Sequence, residues 1–112
     1  QKRLLEILDQ SVVSLVDKTT IVEAATLIKF SNFVVGVDTG LTHISVSLDK
    51  PTIALFGETC PYLFANRKKT KVIWVNKECT PCIEGENDMS SFSCLKGIHP
   101  NNVFNEIKNI LK

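Results

Sequence analysis

Long apolar runs are missing from this chain of 112 residues: nothing approaches the roughly 20 consecutive apolar residues of a membrane span. No signal peptide precedes the first amphipathic pattern, which begins directly after Gln1-Lys2-Arg3. Without a secretory segment, stable disulfides are not the default for the four cysteines. Charge of neither sign dominates. Thirteen Lys and Arg against twelve Asp and Glu leave a net charge of +1, so no strong field draws the chain to nucleic acid or to an acidic membrane surface. The short basic run Arg67-Lys68-Lys69, with Lys71, reads as a solvated loop. The glycine-rich phosphate loops are absent too: neither G-x-G-x-x-G nor G-x-x-x-x-G-K occurs. Internal repeats and low-complexity segments are lacking. An initiating Met is also missing, which leads to the expectation of a fragment or a processed product.

The composition that remains, 44% apolar and 22% charged, is that of one globular domain with a modest core. Leu4, Leu5, Ile7 and Leu8 form one face of a short helix. Val12-Val13-Ser14-Leu15-Val16 is a β-branched run of the kind found in strands buried on both faces of a parallel sheet. Thr20 and Glu23 fit a capping box, followed by Ile21, Ala24, Ala25 and Ile28 on one helical face. A second strand is expected at 33–37. A short helix follows, with Leu41, Ile44, Ser45 and Leu48 on one face. Strands are expected at 52–56 and 71–75, with loop between. Pro100 sits at the first position of a last helix whose apolar face is Val103, Phe104, Ile107, Ile110 and Leu111. This alternation predicts an α/β domain with a parallel sheet of about four strands and right-handed crossovers.

The junction Val37-Asp38-Thr39-Gly40-Leu41-Thr42-His43 carries the chemistry. A strand stops, the chain turns, and a helix starts at once. Such a junction gathers unbonded N–H groups, expected at Gly40, Leu41 and Thr42, with the positive end of the helix dipole behind them. An anion, above all a phosphate, suits that spot. Gly40 lets a ligand or a tight turn come close. Thr39 and Thr42 offer hydroxyls, and His43 reaches toward a diphosphate or a sugar hydroxyl. The bland alternative is that Asp38 or Thr39 caps the helix and His43 is a surface histidine.

Residues 76–100 form a long polar excursion. Cys79-x2-Cys82-x11-Cys94-x4-His99 has spacing compatible with a tetrahedral zinc site that would staple this loop. Free thiols or one disulfide are the alternatives. Cys60, beside Pro61, reads as a loop thiol, and Trp74 as a core residue.

The run Val-Val-Gly-Val-Asp-Thr-Gly-Leu-Thr-His-Ile-Ser-Val-Ser-Leu at 34–48, followed by Lys-Pro-Thr-Ile-Ala-Leu-Phe-Gly at 50–57, resembles glycosyltransferase family 9, which contains the ADP-heptose:lipopolysaccharide heptosyltransferases. The family pattern is D-[ST]-G-x-x-H and then a P-x-[IV]-x-[LF]-[FY]-G strand. Cys79-Thr80-Pro81-Cys82, with Cys94, resembles the C-x-P-C…C segment of many members. Together the three cover about the last two thirds of the chain.

The resemblance implies a GT-B fold, with residues 1–112 as a single, incomplete, Rossmann-like nucleotide-sugar-binding domain from the C-terminal half. It implies an inverting, metal-independent transferase with no required cofactor. The donor would be ADP-heptose-like and the acceptor of lipopolysaccharide type. Asp38, Thr39, Gly40, Leu41, Thr42 and His43 would hold the donor diphosphate, and the loop at Thr19-Thr20 would lie near the base. No catalytic residue is assigned, because the family's general base belongs to the N-terminal domain, so the chain alone is expected to be inactive. The implied setting is cytoplasmic, peripheral at the inner face of the cytoplasmic membrane, in cell-envelope glycan synthesis. The competing expectation is a non-catalytic α/β module for a phosphorylated ligand or a protein, with a zinc-stapled loop. Rossmann-like sheets run 3-2-1-4-5-6. If the four expected strands are the last four, two strands are missing between the first and the second, and unpaired edges seek partners.

Overall fold

A computed structural model describes residues 11–57, 68–74 and 93–112. Helix α1 spans Ile21–Phe30, strand β1 Val34–Val37, helix α2 Gly40–Ser47, strand β2 Thr52–Phe56 and strand β3 Thr70–Trp74; the short helix α3 (Ser93–Lys96) and helix α4 (Pro100–Ile110) follow. The strands form one parallel sheet in the order β1-β2-β3, with Val37 opposite Leu55 and Phe56 opposite Trp74.

The sheet is parallel and Rossmann-like, but among the described residues it has three strands rather than four. Val12 to Val16 is extended chain running into a turn, closed by the Lys18 N–H donating to the Leu15 carbonyl at 3.1 Å. Val13 is 76% exposed, and Val12, Leu15 and Val16 are exposed as well. The reading of a doubly buried strand is therefore corrected. A β-branched run becomes a strand only where a neighbour supplies the ladder, and no described strand lies beside it. The expected N-terminal helix around Leu4–Leu8 and the segment with Cys60, Cys79 and Cys82 lie outside the described residues.

Alternation along the strands divides the sheet into two faces. One carries Gly36, Thr52, Ala54, Phe56, Val72 and Trp74. Phe56 and Ala54 are buried there, with Val46 of α2, Val72 and Trp74 against them. The other carries Val35, Val37, Ile53, Leu55 and Ile73 and looks toward α4. An apolar cleft of about 610 Å³ lies between them, lined among others by Val37, Leu55, Val103, Phe104 and Ile107. At the amino end of the sheet, Lys69 Nζ donates to Asp49 Oδ2 at 2.6 Å and ties the turn before β2 to the one before β3. Asp49 adopts a left-handed conformation, φ 55°, which suits a short polar side chain.

The helices begin as expected. Thr20 accepts the Glu23 N–H at 3.3 Å, and Glu23 Oε2 accepts the Thr20 N–H at 2.7 Å, completing the capping box of α1. These bonds hold the Glu23 carboxyl below the usual glutamate range, first through the Thr20 backbone and then through its hydroxyl. Pro100 occupies the first turn of α4. The buried face of α2 differs from expectation. Ser45 is buried as expected, at 0%, but Leu41 and Leu48 are exposed and Thr42, at 1%, is buried in their place. Gly36 explains the exchange, because it has no side chain to hold the helix off the strand and a small hydroxyl fills the gap.

Candidate functional site

The turn Asp38-Thr39-Gly40 stands at the carboxyl end of β1, where ligands bind in open parallel α/β sheets. Asp38, Thr39, Gly40 and Leu41 are all exposed. Thr39 is the N-cap residue of α2, with extended backbone (φ −141°, ψ 164°), yet its side chain makes no capping bond. The N–H groups of Gly40 and Leu41, first and second in the helix, have no intrahelical carbonyl available to them. The expected set of three amides shrinks to two, because the Thr42 N–H donates to the Thr39 carbonyl at 3.1 Å. The His43 N–H donates to the same carbonyl at 3.3 Å.

Thr42 contradicts the expectation of a phosphate-facing hydroxyl. Its Oγ1 donates its one proton to the Val37 carbonyl at 2.6 Å, and the residue is buried. A Cβ built on Gly36 would collide with that oxygen and stand 3.4 Å from the Thr42 Cβ. Gly40 is the opposite case: an added Cβ would meet nothing within 4 Å, so the space beside the helix start is open.

His43 Nε2 lies 3.3 Å from Asp38 Oδ1, closing the turn on itself. An ionised carboxylate only accepts, so in this contact the proton sits on Nε2. Both side chains are more than a third exposed, and the solvent-screened contact orients the ring more than it stabilises the fold. A groove of about 450 Å³ runs along the outer edge of β1, with Thr39, Leu41, Gly36 and Val37 on one side and Ile28 of α1 contributing to its wall.

The remaining expected residues are placed elsewhere. The Thr20 hydroxyl serves the capping box, accepting from the Glu23 N–H and donating to Glu23 Oε2 at 2.9 Å. Thr19 precedes it in the loop before α1. His99 is the N-cap of α4, its Nδ1 accepting the Asn101 N–H at 3.2 Å. Cys94 lies in α3, and the other expected zinc ligands, Cys79 and Cys82, are outside the described residues. Among the described residues, no group of three His, Cys, Asp or Glu is placed to hold a metal ion. No helix among them is long and apolar enough to cross a membrane.

Two contributors escaped the sequence reading. Gly36 was read only as part of an apolar strand. Thr52, buried, accepts from Ser45 Oγ at 2.7 Å while donating to the Lys50 carbonyl at 2.8 Å. The available signal was size: Gly36, Ser45 and Ala54 are small residues at positions where a helix must cross a sheet.

Residues 1–92 match the family model described as glycosyltransferase family 9 (heptosyltransferase). Lipooligosaccharide heptosyltransferase 2 of Campylobacter jejuni is 28% identical over 104 residues, 88% of this chain and 32% of that protein. Lipopolysaccharide heptosyltransferase 1 of Salmonella typhimurium is 36% identical over 77 residues, 69% of this chain and 24% of that protein. Lipooligosaccharide heptosyltransferase 2 of Haemophilus influenzae is 41% identical over 61 residues, 54% of this chain and 18% of that protein. The chain thus spans about a third of the first of these relatives and less of the others. No solved structure matches it at a comparable level.

Proposed function

The chain belongs to glycosyltransferase family 9, the heptosyltransferase family, and from that premise we propose that it is the donor-binding part of a GT-B, inverting sugar transferase. The intact protein would move a sugar from a nucleoside diphosphate, ADP in the first instance, to an acceptor of lipopolysaccharide type. The reaction would take place at the cytoplasmic face of the membrane. The observation that carries the reading is the exposed, uncapped start of α2, where Gly40 and Leu41 present their N–H groups at the carboxyl end of β1.

The chemistry follows from charge. As the bond from the sugar carbon to the diphosphate oxygen breaks, negative charge grows on the departing diphosphate. Two fixed amides and the helix dipole favour that charge without reorganising. Thr39, whose hydroxyl is not spent on capping, adds a donor. Asp38 carries the wrong sign for a phosphate and acts through His43, holding the imidazole over the turn. General-base chemistry belongs to the part of the protein outside this chain, so the chain alone binds without transferring.

Gly40 supplies the test. Gly40→Val adds bulk where the fold has open space and the ligand would sit. In the intact protein, ADP affinity by calorimetry should fall below detection while the melting temperature stays within a few degrees. Unchanged affinity, or a wild-type protein that binds neither ADP nor UDP, rejects the reading.

A further inference from the structure

Helix α2 buries two residues deeply, and both carry hydroxyls: Thr42 and Ser45, three positions apart on one helical face. Each makes a directed bond to a different strand. Thr42 Oγ1 donates to the Val37 carbonyl at 2.6 Å, at the carboxyl end of β1. Ser45 Oγ lies 2.7 Å from Thr52 Oγ1 at the start of β2. Thr52 spends its own proton on the Lys50 carbonyl, so Ser45 is the donor. We propose that Thr42 and Ser45 are positioning residues, a two-point hydroxyl clamp that sets the axial position and rotation of α2 and so aims the Gly40 and Leu41 N–H groups at the donor diphosphate.

The reason for two hydroxyls rather than two apolar side chains is geometric. Apolar contact is non-directional and tolerates sliding and rotation. A short O–H···O bond does not, since it weakens steeply with distance and angle. One bond would leave the helix free to pivot; a second, on another strand, removes the pivot. The upper tie grips the carbonyl of the residue just before Asp38, the residue at which the ligand-facing turn begins. Thr39 makes no capping bond of its own, so these two ties act with the backbone bonds to its carbonyl and the His43–Asp38 contact to define the local geometry. Gly36 belongs to the same device, because only a bare Cα lets the Thr42 oxygen come so close.

This inference rests on the donor reading, and its test separates the two. In the intact protein, Thr42→Val keeps the shape and removes the proton donor, while Thr42→Ser keeps the donor. The probes are ADP and adenosine. Thr42→Val should weaken ADP by about tenfold or more, the scale of one hydrogen bond to a charged group, and leave adenosine affinity unchanged. Thr42→Ser should restore ADP binding to within about threefold of wild type, a residual loss below one hydrogen bond. With glycine-selective 15N labelling, the Gly40 amide signal of the unliganded protein should move in Thr42→Val and return in Thr42→Ser; this readout needs no ligand. Should Thr42→Val fail to fold, Thr42→Ala takes its place, judged at a temperature where thermal melts show it folded. Equal losses for ADP and adenosine, or an unmoved Gly40 signal, overturn the clamp while leaving the donor reading intact. A wild-type protein that binds neither ADP nor UDP overturns both.

Discussion

Helices α1 and α2 teach opposite lessons about what makes a helix belong to a fold. α1 has every local advantage. A complete capping box opens it, Glu23 stands in its first turn and Lys29 in its last, and each charge suits the dipole end it occupies. It nonetheless buries no residue, and Ile21, Val22, Leu27 and Phe30 are exposed, Phe30 at 79%. α2 has almost no local advantage. Its cap side chain makes no bond, a glycine opens it, and neither end turn carries a complementary charge. Yet two of its eight residues are buried to 1% or less. Capping decides whether a segment becomes helical; packing decides where the helix sits. The proposed donor turn stands at the start of the poorly capped helix, which has a physical rationale: a side chain that satisfied those amides would compete with a ligand for them.

The sharpest way to break this contrast is Gly36→Ala. The added methyl meets the Thr42 side chain and pushes α2 away from β1, so urea denaturation should show a loss of about 3 kcal/mol. Ser45→Ala should cost less, about 1 kcal/mol, because Thr52 keeps its bond to the Lys50 carbonyl. A comparable loss from both would mean that α2 is held by its whole face and not at the Gly36 contact. Thr20→Ala removes the cap of α1 and should cost about 1 kcal/mol of local helix stability, seen as faster amide exchange in the first turn of α1. α1 touches α2 but fully buries no residue, so that loss should stay largely within α1.

The smallest effect is electrostatic. The Glu23 carboxyl is held below its usual range in the folded chain. A depressed carboxyl contributes stability above its unfolded value, and that stability is lost as pH falls through the folded value. The first turn of α1 should therefore fray in acid, below the ordinary glutamate range, with α2 unaffected. The acid transition should shrink but persist in Thr20→Ala, which removes the hydroxyl bond to Glu23 and keeps the stronger backbone N–H bond. Amide exchange followed against pH checks both, and an acid response centred on α2 would contradict the assignment.

Several elements were legible before any coordinates. β2 occupies the residues expected of it, Thr52 to Phe56, because an unbroken apolar run flanked by Pro51 and Gly57 has one economical reading. The capping box at Thr20 and Glu23 and the Pro100 start of α4 are local chemistry, complete within a few residues, and they appear where expected. The strand–turn–helix junction at 37–43 was legible for the same reason. The Val12–Val16 run was misread because a nearly continuous apolar, β-branched stretch describes fitness for a sheet and not the presence of a neighbouring strand. Thr42 was misread because its partner, the Val37 carbonyl, lies across the turn, and nothing local tells a threonine that faces a ligand from one that faces the sheet.

Sequence alone determined the family, the kinds of element and the place where the chain leaves a strand and starts a helix with a glycine. Those properties depend on short-range sterics, hydrogen-bond donors and apolar spacing, all complete within one turn or one strand. Tertiary structure alone decided which hydroxyls are spent on the scaffold, which amides remain for an anion and which strand has a neighbour. Each of those depends on how closely two separate elements approach, and at Gly36 that distance is set by the absence of a single methyl group.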